Sequence, residues 1–461
     1  MDHFRYQNGE LVCEGVSATA LADRYGTPLY VYSATTIREH VTRLRAAFAA
    51  LSPKICYAVK ANGNLHLLRL LSSLGCGMGV VSLGELERAF VAGVGMDRIV
   101  FAGVGKGEDE IRAALSPLHS PMRNWRGADG RDAGFAERLA TRGVVSCFNA
   151  ESEQELEVIA RVAEELGVTA RAALRINPDV DAYTHAYTTT GKADNKFGVT
   201  IDRAIALFDR FGARSRSARH LVLDGLHVHL GSPIYTTEPY VAAIRKLLIL
   251  EHELRARGHE VRSVDIGGGF AADYETGKTP AYDAYAAAIV PLLVPLVERG
   301  VQIVMEPGRT IVANAGVLLT RVRYTKHNGG KHFVVCDAGM NALIRPALYE
   351  AFHFIWPARV SAELVPQERK SAMDMPGLNP VDVVGPICES GDFLAQARKL
   401  PRVDPGSLLC VFSAGAYGMS MASNYNDQPL PAEVLVEGDR ASVIRERQTI
   451  VGILEAESPR R

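Results

Sequence analysis

The stretch ICYAVKANGN, residues 55–64, places Lys60 directly after an apolar run and before Ala-Asn-Gly-Asn. A primary amine there can condense with a carbonyl, and an apolar setting would lower its pKa and free the neutral nucleophile. Other motifs carry complementary groups. HVHLGS (227–232) sets two histidines on one strand face by the period of two. They could hold a metal, but no third His, Asp or Cys is evident beside them, so we expect His229 to stack or hydrogen-bond and no metal. Gly267-Gly268-Gly269 follows an apolar run, a setting in which backbone N–H groups approach a phosphate at a helix start. EPGR (306–309) offers a carboxylate, a tight turn and a guanidinium in four residues. CESGD (388–392) sets Cys388 beside Glu389 in a Gly-flanked loop, as a proton donor, a nucleophile or a free buried thiol.

These residues need a frame. Eight short apolar runs bounded by Gly, Asn or Pro alternate with helical stretches: 55–60, 77–82, 98–103, 144–149, 170–177, 223–230, 263–269 and 301–307. In the helix after 149, Ser152 can cap while Glu155 bonds back. Leu156, Ile159, Ala160, Ala163 and Leu166 form one apolar stripe, and Gly167 ends it. Eight β/α units predict a (β/α)8 barrel over 36–312, with its active site at the C-terminal strand ends. Those ends carry Lys60, Ser82, Asn149, Arg175, His229, Gly267–Gly269, Glu306 and Arg309. After about 312, short strand-like runs recur (GVLLTRVRYT, KHFVVCDA, SLLCVFSA, AEVLVEG, ASVIRERQT). They predict a second, β-rich domain, of sandwich or barrel type, over 313–461, joined by residues 1–35. The Gly-, Pro- and Arg-rich stretch 116–139 reads as a surface insertion.

Composition narrows the partners. Of 461 residues, 47% are apolar and 22% charged, and 51 Lys+Arg against 52 Asp+Glu leave a net charge of −1. That balance gives no sign of nucleic acid or anionic membrane as a partner. The seven cysteines are dispersed without metal-type spacing, and the polar N-terminal MDHFRYQNGELVCEG lacks the apolar core of a secretory signal. We therefore expect a reducing, cytoplasmic setting. The apolar stretch 289–297 is short, is expected to be broken by Pro291 and Pro295, and cannot span a bilayer.

Together the motifs suit pyridoxal 5'-phosphate, which needs a lysine for attachment, a phosphate cup and an acid beside its pyridine nitrogen. The ordered set is more specific than its parts. FRYQNGELVCEGV…YGTPLYVYS, YAVKAN, VVSLGELERA, VFAGVGK, NPDVDAYTHAYTTTG…NKFG, HVHLGS, GGGF, EPGR, MNALIRPALYEAFH, CESGD and GAYGMSMASNYN span nearly the whole chain. That set resembles the fold type III pyridoxal-phosphate decarboxylases, and within them the diaminopimelate decarboxylases most closely.

The resemblance implies roles. Lys60 would carry the cofactor, His229 would stack on its ring and Glu306 would face its pyridine nitrogen. Ser232, Gly268, Gly269, Gly308 and Tyr417 would hold its phosphate. Arg309, Arg345 and Tyr349 would bind the substrate's distal carboxylate and Glu389 its distal amine, with Arg309 also bordering the cofactor and Tyr417 the substrate. Cys388 would return a proton after CO2 leaves. Family members are homodimers whose CESGD loop enters the neighbour's active site. Ornithine, arginine, lysine or carrier-linked amino acids are the alternative substrates, and RPALY is the discriminator, because a substrate without the distal carboxylate leaves an arginine unpaired. A racemase would need a second acid/base, usually a tyrosine, and would lack CESGD. A non-catalytic paralogue could lose Cys388 or Arg345, and both are present. Two departures stand out: Gly79 where the family often has Asp, and the 116–139 insertion.

Overall fold

The computed structural model describes residues 2–124, 135–182, 190–191, 195–212 and 219–458. The chain divides into two compact units, one of 42–270 and 280–308, the other of 1–41, 271–279 and 309–461.

The first unit is a closed parallel barrel of strands β1 (Lys54–Ala58), β2 (Gly77–Val80), β3 (Ile99–Phe101), β4 (Cys147–Ala150), β5 (Ala170–Arg175), β6 (Leu221–His227), β7 (Ser263–Asp265) and β8 (Gln302–Met305). Each pairs with the next, and Val304 of β8 pairs with Lys54 to close the ring. All eight runs read from the sequence are barrel strands. Parallel strands buried on both faces read as continuous apolar runs, which made them visible.

Three local expectations change. The helix Glu153–Leu166 is capped by Ser152 and ended by Gly167 in the left-handed region, but Glu155 does not bond back to Ser152. Its carboxylate accepts from the Glu151 N–H at 2.9 Å and pairs with Lys106 at 2.7 Å, because a buried cation outcompetes a local amide. The buried stripe is Leu156, Ile159, Val162 and Ala163, with Ala160 and Leu166 half-buried. The helix Tyr282–Val297 runs through both Pro291 and Pro295. Burial of Tyr285, Ile289, Leu293 and Leu296 along one face outweighs the missing N–H groups. No helix among the described residues is long and apolar enough to cross a membrane. Of the insertion, 125–134 lie outside the described residues; before them, the Ser120 hydroxyl donates to the buried Glu87 at 2.9 Å.

The second unit contains a three-stranded antiparallel sheet of Phe4–Gln7, Glu10–Cys13 and Val16–Ser17 and a nine-stranded, mostly antiparallel sheet. The long strand Gly316–Asn328 pairs with Lys331–Cys336, Leu29–Ser33 and Leu408–Val411. Leu29–Ser33 also pairs with Ala432–Glu437, so this N-terminal strand is part of the nine-stranded sheet. All five of its residues are buried. Asn379–Val384 and Phe393–Leu400 extend the sheet at one edge.

Candidate active site

Lys60 lies one step past β1, on a single 3-10 turn, Val59–Ala61. Val59 and Ala61 are buried on either side while Lys60 is exposed, so its neighbours anchor the turn and leave the amine accessible. The apolar setting expected for the amine is absent, because the turn carries the side chain out of the strand. Asn62 and Asn64 shape the path into the next helix: the Asn62 side chain accepts from Asn64 N–H at 3.1 Å, and Asn64 caps the helix Leu65–Ser73.

EPGR packs against the same turn. Ala58 N–H donates to Pro307 C=O at 3.0 Å. A Cβ on Gly308 would stand 3.0 Å from the Ala61 Cβ and 3.1 Å from the Ala58 Cβ, so any side chain here would have to push the turn back by a few tenths of an ångström. The Gly triplet lies beside it. Gly267 and Gly269 adopt φ of 67° and 97°, and a Cβ on Gly268 would reach the Glu306 carbonyl oxygen at 2.3 Å. The triplet does not open a helix as expected; the next helix begins at Tyr282, and it is EPGR that precedes one, at Arg309–Val312.

β6 ends at His227, so His229 lies beyond the strand and the shared-face reading fails. The His229 Nδ1 accepts from Gly268 N–H at 3.3 Å. Burial, then the charges of Lys60 and Arg175, hold His229 well below the usual imidazole range, leaving a neutral ring. Arg175 is itself paired with buried Glu151 at 2.6 Å. Ser232 is half-buried in the loop after β6, and Ser82 is a helix cap, accepting from Glu85 N–H at 3.3 Å.

Sequence reading missed the partners of Glu306. His227, Asp265 and Glu306 bring donor atoms within 4.8 Å of one another, so the histidine does have carboxylates beside it. The barrel juxtaposes the ends of β6, β7 and β8, which no local spacing reveals. His227 Nε2 lies 3.3 Å from Glu306 Oε2. Burial alone would raise Glu306; His227, Lys60 and Arg175 outweigh it and hold the carboxyl below its ordinary value. Burial, then the Glu306 charge, push Asp265 up to about 7. Asp265 accepts from Gly267 N–H at 2.8 Å and from Asn149 Nδ2 at 3.2 Å. The pair thus holds its protons unequally: Asp265 gives up its proton at a higher pH than Glu306. A Cβ on Gly79 would lie 2.8 Å from Glu306 Oε1, the movable end of that side chain, so a larger residue here would shift the carboxylate.

The second unit holds another constellation. Buried Arg309 and Arg345 each donate from Nη1 to the Tyr274 hydroxyl oxygen at 2.9 Å. The Arg309 guanidinium lies 4.8 Å from the Tyr417 ring centroid. Arg345 and half-buried Tyr349 share one face of the helix Arg345–Tyr349. Cys388 and Glu389 are exposed, whereas the other six cysteines are buried or half-buried. Cys388 N–H donates to Asn426 Oδ1 at 2.7 Å, and Asp392 ties the loop by accepting from Ile387 N–H at 2.7 Å and Met340 N–H at 2.6 Å. The Glu389 carboxylate raises the Tyr425 phenol by hydrogen bond and charge.

The chain matches the family described as "Pyridoxal-dependent decarboxylase, pyridoxal binding domain" over residues 34–119 and 128–313. It is 43% identical to the diaminopimelate decarboxylase of Pseudomonas aeruginosa over 99% of both chains. The chain belongs to the diaminopimelate decarboxylase family. Among solved structures, it is similar to the Helicobacter pylori diaminopimelate decarboxylase complexed with L-lysine, at 36% identity, TM-score 0.81, and 95% and 98% coverage of this chain and that one. The M. jannaschii diaminopimelate decarboxylase in co-complex with L-lysine matches at 33% identity, TM-score 0.84, and 100% and 98% coverage. The family resemblance and barrel read from the sequence are thereby established.

Proposed function

We propose that this protein decarboxylates meso-2,6-diaminopimelate to L-lysine and CO2, the last step of lysine biosynthesis, with pyridoxal 5'-phosphate as cofactor. The residues of the barrel unit suit that cofactor. An accessible lysine, a neutral imidazole, an ionised, half-buried carboxylate and a glycine cradle that Cβ atoms would fill are the groups it needs. Lys60, His229, Ser232, Gly268, Gly269, Glu306 and Gly308 would hold it, with Arg309 and Tyr417. Bound, the cofactor supplies an electron sink for the bond to the departing carboxylate. Ionised Glu306 would hold a proton at the cofactor's pyridine nitrogen, and the Cys388 thiol would supply the proton that replaces the lost carboxylate.

The observation that carries the substrate assignment is Arg345. It is buried, yet among the described residues no carboxylate pairs with it. A buried guanidinium without an acid suits an incoming carboxylate. Diaminopimelate presents one at its distal end, and ornithine and arginine do not. Leaving such a group unpaired costs roughly 1–3 kcal/mol or more. Tyr349, Arg309 and Tyr417 accompany Arg345, and Glu389 takes the distal amine. The exposed Cys388–Glu389 loop suits a homodimer in which each chain lends this loop to its neighbour, and the dispersed free cysteines suit the cytoplasm.

The test is stoichiometric. Purified protein with pyridoxal phosphate should release one CO2 and one L-lysine per meso-diaminopimelate consumed. Cys388→Ala should keep the cofactor's absorbance and slow turnover by about 100-fold or more. No lysine from wild type contradicts the assignment, and full turnover by Cys388→Ala removes the thiol from its role.

A further inference from the structure

Two guanidinium groups buried side by side repel one another, and something must set their orientation. In this chain they share one oxygen. Arg309 and Arg345 each donate from Nη1 to the Tyr274 hydroxyl, both at 2.9 Å. The second Nη1 proton of Arg345 is also used, on His353 Nε2 at 3.0 Å. His353 can accept there because its Nδ1–H donates to Phe412 C=O at 2.9 Å, which fixes the tautomer. The Tyr274 and His353 rings meet edge to face with centroids 5.4 Å apart, and His353 is fully buried. Nη1 of Arg345 is therefore saturated. Its Nε–Nη2 edge makes no hydrogen bond among the described residues, and that edge has the fork spacing of a carboxylate.

We propose that Tyr274, backed by His353, is the positioning residue that aims the Nε–Nη2 edge of Arg345 at the distal carboxylate of the substrate and so sets the enzyme's preference for a dicarboxylic diamine. The inference rests on the function proposed above. Electrostatics agree with the geometry: burial would raise the Tyr274 phenol, but Arg309 and Arg345 outweigh it, so the oxygen is held as an acceptor. Burial, then the Arg345 charge, push His353 down to about 3, so it stays a neutral acceptor. Without the Tyr274 oxygen, Nη1 of Arg345 has a free proton, the two guanidinium groups lose their common anchor, and the fork rotates.

L-Lysine and cadaverine differ only by a carboxylate, which makes them the probes. Calorimetry on the holoenzyme should show Tyr274→Phe weakening L-lysine by about ten-fold or more while cadaverine stays within about two-fold. His353→Gln, which keeps an acceptor, should stay near wild type, and His353→Leu should behave like Tyr274→Phe. In turnover, Tyr274→Phe should raise KM for meso-diaminopimelate with little change in kcat. Equal weakening of both probes would mark Tyr274 as a general structural residue and overturn the inference, as would no weakening at all. Wild-type enzyme that binds both probes equally would overturn the substrate assignment and this inference together. Wild type that prefers L-lysine, with Tyr274→Phe unchanged, overturns the inference alone.

Discussion

At the scale of single residues, the side chains proposed to do the chemistry stand out in the sequence, and those packed against them do not. Lys60, His229, Glu306 and Arg345 stand in motifs whose order is distinctive. Asp265, Tyr274 and His353 do not, because their importance comes from contacts across the fold: Asp265 lies 41 residues from Glu306, and Tyr274 lies 71 from Arg345. Asp265 yields a prediction in stability. Its folded pKa is raised to about 7, whereas an unfolded Asp titrates near 4. The folded state therefore binds more protons between those values. This acid's contribution is fully present below about pH 4 and is lost as pH rises through about 7. Asp265→Asn should consequently gain melting temperature relative to wild type between pH 5 and pH 8. Parallel melting curves across that range would show that Asp265 does not hold the proton.

At the scale of elements, the barrel strands were readable because parallel strands with both faces covered are apolar throughout. Two strands at one end of the second unit's larger sheet were not. Phe393–Leu400, FLAQARKL, is rich in helix formers, and Asn379–Val384 contains Pro380 and Asp382. Pairing overrides both preferences, and Lys331 neutralises Asp382 at 2.9 Å. The turn that bears Lys60 has its own test. Gly308→Ala would force a Cβ to within 3.0 Å of Ala61 and displace the turn. We expect a loss of about 1–3 kcal/mol in denaturant unfolding, typical of overpacking, together with weaker cofactor binding. Lys60→Ala changes an exposed side chain, so its stability should stay within about 0.5 kcal/mol while the lysine-bound cofactor absorbance disappears. A Gly308→Ala variant as stable as wild type would show that the approach is not tight.

At the scale of the molecule, the sequence predicted two bodies, and contacts divide the chain into two. The segment 271–279 groups with the second unit although it comes directly after the barrel's Gly triplet. Its sequence, AADYETGKT, has no periodicity to reveal this, yet it supplies Tyr274. The proposed dimer makes a quantitative prediction. If each active site takes Lys60 from one chain and Cys388 from the other, Lys60→Ala and Cys388→Ala are each nearly inactive. A subunit-exchanged equimolar mixture should then recover roughly a quarter of wild-type activity, because half the dimers are mixed and each has one intact site. No recovery in a mixture shown to contain mixed dimers would place both residues in a single chain's site.

The proposed arginine pair should select a substrate with a distal carboxylate. The most direct measurement is CO2 release by the holoenzyme from meso-diaminopimelate, L-lysine, L-ornithine and L-arginine side by side. The kcat/KM for diaminopimelate should exceed the others by about 100-fold or more, and Arg345→Ala should remove most of that margin. Release from ornithine but not from diaminopimelate would contradict it.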